Sequence, residues 1–123
     1  MEQYDPDRDL AADEWLDLDE QERMMLVEDY HRRHRIRMPN VEAHAVVHTI
    51  VENQLALEEP VVIATFARLR REGLDRHDAL HAIGSVLAGH LNSLLWDPDS
   101  QDQSNERYHE ALRKLSASKW RAS

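Results

Sequence analysis

The sequence predicts an all-α fold, a compact bundle of four to five helices. Three observations point there. Apolar residues recur at three- and four-residue spacing along most of the chain. The few breakers, 3 Gly and 4 Pro, fall between the periodic runs or at their ends, apart from Gly84 and Gly89. No stretch alternates convincingly as a strand does. The run VVIATF at 61–66 reads as a strand in isolation, but Pro60 before it and ARLRREG after it favour helix. A chain of 123 residues fits one domain that buries its core without covalent staples. Residues 1–12 read as an irregular acidic lead-in and 13–123 as a single helical domain.

In order along the chain, Asp5-Pro6 signals a turn within the lead-in. Asp13 or Asp17 starts a short turn carrying Trp15 and Leu16. Asp19 with Glu22 forms a capping-box pattern that opens a helix to about His34, with Leu26, Val27 and Tyr30 as its apolar stripe. Met38-Pro39-Asn40 breaks it, because a residue preceding Pro avoids helical backbone. Asn40 then caps a second helix, about 41–58, apolar nearly all round as a central helix must be. Pro60 suits the first position of a third helix, where its missing N–H costs little. That helix stops at Gly73, a natural left-handed cap. Asp75 caps a fourth helix, which runs to about Trp96 and ends at Asp97-Pro98-Asp99. A last helix covers about 104–118, with Tyr108, Ala111, Leu112 and Leu115 inward.

Two histidine pairs carry the chemical signal: His44 and His48 in HAVVH, His77 and His81 in HDALH. Residues i and i+4 share a helix face, with Cβ atoms roughly 5–6 Å apart. Two imidazoles so placed reach one metal ion at bond lengths of about 2.0–2.1 Å. Eight histidines in 123 residues produce roughly half of one such pair by random placement, so spacing alone is suggestive. Location adds weight. Both pairs lie in the two most apolar segments, and a buried polar ring needs a partner. At helical pitch His44, His48, Glu52 and Leu55 form one stripe. His77, His81, Gly84 and Ala88 share a side of the fourth helix, and the small residues there let a neighbouring helix come close. The expected ligands are therefore His44, His48, His77 and His81, with Glu52 as fifth ligand or as general base. Asp78 reads as an ordinary acid in the first turn of its helix. HDALH is not the HExxH of zinc proteases. His90 reads as a core histidine, His31 and His34 as part of a solvated basic face, and Trp15, Trp96 and Trp120 as packing anchors.

Composition narrows the rest. Without cysteine there is neither a disulfide framework nor a thiolate site. Imidazole and carboxylate donors suit zinc first, with iron, manganese or nickel as alternatives, over Cu(I). The net charge of −9 argues against a dedicated nucleic-acid binder. Residues 1–29 carry twelve of the 24 acids, and eight of the 15 bases fall in two clusters, Arg32, Arg33, Arg35 and Arg37, then Arg68, Arg70, Arg71 and Arg76. Pairing of those clusters with the acidic N-terminal segment is expected. The acidic start lacks the apolar stretch of a signal peptide, and no apolar run is long enough to span a bilayer. A cytoplasmic protein that does not enter membranes is expected.

The runs NVEAHAVVHTIVENQLAL and GLDRHDALHAIGSVLAGHLNSLLW resemble an uncharacterised bacterial family, a domain of unknown function with two His-x3-His helices. The resemblance spans roughly residues 15–96. It singles out His44, His48, Glu52, Gln54, His77 and His81 and brings no activity with it. Three functions follow as expectations. The first is a helical protein holding a divalent ion between its two His-x3-His helices, in a structural or regulatory role. The second is a metal-dependent hydrolase with Glu52 as base. The third is a metal-free interaction protein with core histidines, whose partner is another protein or a second copy of itself.

Overall fold

The computed structural model describes residues 1–34, 40–96 and 104–122, and all regular structure among them is helical. The expected breaks at Met38-Pro39 and Asp97-Pro98-Asp99, and Arg35 and Arg37, lie outside the described residues. The helices are α1 (Ala12–Asp17), α2 (Glu20–Arg33), α3 (Val41–Ala56), α4 (Pro60–Arg71), α5 (Arg76–Trp96), α6 (Ser104–Lys114) and α7 (Ala117–Ala122). The described helices number seven rather than four to five. One of the extra elements is α1, which the sequence presented only as a short turn around Trp15. The other comes from division of the last helix. The Arg68 guanidinium donates to the carbonyls of Leu112 and Leu115, drawing off acceptors at the end of α6. The Ser116 hydroxyl then accepts from the Lys119 N–H and starts α7 afresh.

The caps follow the sequence closely. Asp19 and Glu22 make a reciprocal capping box on α2. The Asn40 side chain accepts from the Ala43 N–H at the head of α3. Asp75 does the same for the Asp78 N–H ahead of α5. Gly73 takes the left-handed conformation after α4, with φ 102°.

α3 packs against α1, α2, α4 and α5, as its nearly continuous apolar surface requires. Two apolar clusters flank it. One gathers Val51, Val62, Leu69, Leu80, Ile83 and Leu112 from α3 to α6. The other joins Tyr4, Trp15, Val27, Tyr30 and Ala45. Residues 1–11 form no helix, yet Tyr4 is buried against Trp15 and Tyr30, with ring centroids 5.8 and 6.1 Å away. Among the described cluster arginines, three pair with acids of residues 1–29, two of them within their own helix. Arg32 and Arg33 reach Glu28 and Asp29 one turn back, and Arg68 reaches Glu72. Arg76 crosses from α5 to the lead-in, at Asp9 and the Pro6 carbonyl.

α3 and α5 meet where Gly84 faces Val47. A Cβ at Gly84 would stand 3.2 Å from Val47 Cγ1. Gly84→Leu is therefore expected to force the two helices apart and to destabilise the fold by about 1–3 kcal/mol. A urea midpoint equal to that of the unmodified protein would contradict this contact.

Candidate metal centre

α2, α3 and α5 bring four histidines to one point. One ring nitrogen each of His31, His44, His48 and His81 lie within 4.8 Å of one another. Ring centroids are 4.6 Å apart for His31–His44 and 4.9 Å for His44–His81. His77 adjoins this group, 4.2 Å from His81 and 5.6 Å from His48 by ring centroids. The two sequence pairs thus converge across the α3–α5 contact. Four ligand nitrogens around zinc stand about 3.3 Å apart, given bonds of about 2.0–2.1 Å. Side-chain adjustments of about an ångström close the set.

Five ring nitrogens at this point are buried without a hydrogen-bond partner: His31 Nε2, His44 Nε2, His48 Nδ1, His77 Nε2 and His81 Nε2. Each such atom costs about 1–3 kcal/mol if nothing meets it. Two of them are fixed as lone pairs by what the other ring nitrogen does. His31 Nδ1 lies 2.7 Å from the Val27 carbonyl, which only accepts, so Nδ1 carries the proton and Nε2 is bare. For His48 the constraint runs through three further side chains. Arg76 donates to both carboxylate oxygens of Glu52, at 2.8 and 2.9 Å. The Tyr4 hydroxyl gives its proton to Glu52 Oε2. The Tyr4 oxygen therefore accepts from His48 Nε2–H, 2.9 Å away, and His48 Nδ1 is left bare. Histidine ligands are commonly oriented by such outer partners.

Glu52 keeps its place on the α3 stripe, but its carboxylate is turned to other partners. It is 1 % exposed, and Arg76 and Tyr4 occupy its carboxylate. The four-histidine group does not include it. The reason is Arg76: a buried guanidinium beside α3 captures a carboxylate bidentately. Tyr4→Phe isolates the relay. It leaves the His48 Nε2–H without an acceptor, so stability is expected to fall by about 1–3 kcal/mol. Metal affinity is expected to drop about 10–100-fold, the usual cost of losing an outer partner. Unchanged affinity in a metal titration would refute the relay.

Burial keeps these imidazoles neutral. It lowers His44 to about 4, assisted by His31 and His77, and His81 to about 3, assisted by His77, His44 and His31. His48 is held well below its usual value, first by burial and then by the surrounding histidines. Burial also lowers His31, partly offset by its bond to Val27. Unfolded histidine titrates near 6.5. Between the two values the unfolded chain binds more protons, so stability rises with pH. The metal-free protein is expected to have its full stability above about pH 6.5 and to lose it as pH falls through 6.5 towards 4. A flat melting temperature from pH 7.5 to 5 would contradict this.

His31 is the ligand candidate that sequence reading missed. It is fully buried, not part of a solvated basic face. The flanking arginines of YHRRHR mask a usable signal, because His31 lies one turn beyond Val27 on the apolar stripe of α2. His34 is exposed and stacks on Tyr30. His90 stacks on Tyr108, and Gln54 accepts from the Tyr108 hydroxyl at 2.8 Å. Trp15 is fully buried as a packing anchor and its indole N–H reaches Asn53. No helix among the described residues is long and apolar enough to cross a membrane. The chain matches no protein-family model, and neither curated proteins nor solved structures include a significant match to it.

Proposed function

We propose that this protein binds a divalent metal ion through His31, His44, His48 and His81, with zinc the first candidate and iron, manganese or nickel the alternatives. The observation that carries the reading is the set of buried, unpartnered ring nitrogens converging from three helices. A core built only for packing gains nothing from placing five such atoms together. An ion within reach would satisfy several at once. The donor set fits: imidazole is a good ligand for these metals, and burial already holds the rings in the neutral form that binding requires. His77 is the remaining candidate donor, adjoining the set as a fifth ligand or as a base beside it.

The role of Glu52 favours a metal-binding protein over a hydrolase using that residue. A general base must reach the proton it removes, and the Glu52 carboxylate is engaged by Arg76 and Tyr4. Glu52 is better read as an orienting group two hydrogen bonds from His48. The test is metal-linked melting. Protein purified without a nickel column should carry one ion per chain by elemental analysis, and chelator at neutral pH should lower its melting temperature. Elemental analysis also decides among the four metals. Identical melting curves with and without chelator, together with no bound metal, would reject the proposal.

A further inference from the structure

A cavity of about 330 Å³ opens beside the histidines, lined by Ala43, His44, Val47, His48, His81, Gly84, Ser85 and Ala88. Its volume is at the lower end of small-molecule sites. Three of the four proposed ligands form one wall. Ala43, Val47, Gly84 and Ala88 form the rest, with Ser85, whose hydroxyl is turned back to the Ala82 carbonyl at 2.7 Å. Among the described residues no acidic side chain, lysine or arginine lines it. The proposed donors are all neutral imidazoles, so a divalent ion among them would keep its whole charge. Glu52, which reaches His48 through the Tyr4 hydroxyl, is already paired with Arg76. One wall therefore calls for negative charge, and the others for hydrocarbon.

We infer that this cavity admits a short aliphatic monoanion, a small carboxylate whose head reaches the ion and whose tail lies against Val47, Ala43 and Ala88. This rests on the metal reading above. A long-chain acid does not suit its volume.

The test uses the full-length protein loaded with Co(II), whose visible absorption reports changes in coordination. Acetate, butyrate and hexanoate are titrated in turn. A methylene moved from water to an apolar wall is worth about 0.8 kcal/mol, roughly fourfold in affinity. Butyrate is therefore expected to bind about tenfold or more tightly than acetate, each with a change in the cobalt bands. Ala88→Phe, which fills the cavity away from the histidines, is expected to take up Co(II) with unchanged bands but to flatten the chain-length series. Equal affinity for acetate and butyrate, or an undiminished series in Ala88→Phe, would overturn the inference and leave the metal site standing. Absence of cobalt bands in the unmodified protein would overturn the metal reading and this inference with it.

Discussion

His31→Ala is expected to weaken zinc binding more than any change outside the proposed ligands. It removes a donor whose Nε2 is bare because Nδ1 is committed to Val27. Loss of an outer partner costs about 10–100-fold in affinity, and loss of a ligand itself should exceed that range. The effect on the metal-free fold runs the other way in kind. Removing His31 takes away a buried unpartnered nitrogen as well as packing, so the metal-free protein should lose less stability than the metal-bound one. The gap between the two melting shifts is the diagnostic quantity. His34→Ala, three residues on and exposed, is the control and should leave zinc affinity unchanged. Equal affinities for His31→Ala and the unmodified protein would remove α2 from the centre.

Arg76→Ala is expected to produce the largest loss of stability, about 3–5 kcal/mol, because it leaves the buried Glu52 charge without its partner. Arg76 is 5 % exposed and Glu52 1 % exposed, so water cannot substitute readily for either. The same change frees the lead-in, which Arg76 holds through the Pro6 carbonyl and Asp9. Arg76→Met combined with Glu52→Gln leaves no unpaired charge and should recover part of the loss. Denaturant melts of the three proteins distinguish the cases. A loss of under about 1 kcal/mol for Arg76→Ala, the usual size for exposed pairs, would show that the pair is open to water.

The helices were legible because their signals are local. Asp19 with Glu22, Asn40, Pro60, Gly73 and Asp75 mark ends through backbone chemistry that needs no tertiary context. The α3–α5 contact was legible for a related reason: the small Gly84 shares a helix face with His77 and His81. The break between α6 and α7 was not, because it depends on Arg68 and Glu72 reaching across from α4 and its end. The same distinction divides the candidate site. His44, His48, His77 and His81 announce themselves by spacing within one helix each. His31 comes from a third helix as a single histidine among arginines, and nothing in its spacing ties it to the others. Glu52 lies on the histidine stripe by helical pitch, but its partners, Tyr4 and Arg76, stand 48 and 24 residues away in the chain. Periodicity locates a face; it does not say which of several polar groups will claim a carboxylate there.

The most direct measurement is a competitive zinc titration of metal-free protein, purified without a nickel column, beside the His44→Ala/His81→Ala double variant. Each substitution removes one donor from a different helix of the proposed centre. The account predicts saturable uptake of one zinc per chain by the unmodified protein and its loss in the double variant, with the helical circular dichroism of both retained. Absence of saturable uptake, or equal uptake by the two folded proteins, would contradict a metal centre formed by these histidines.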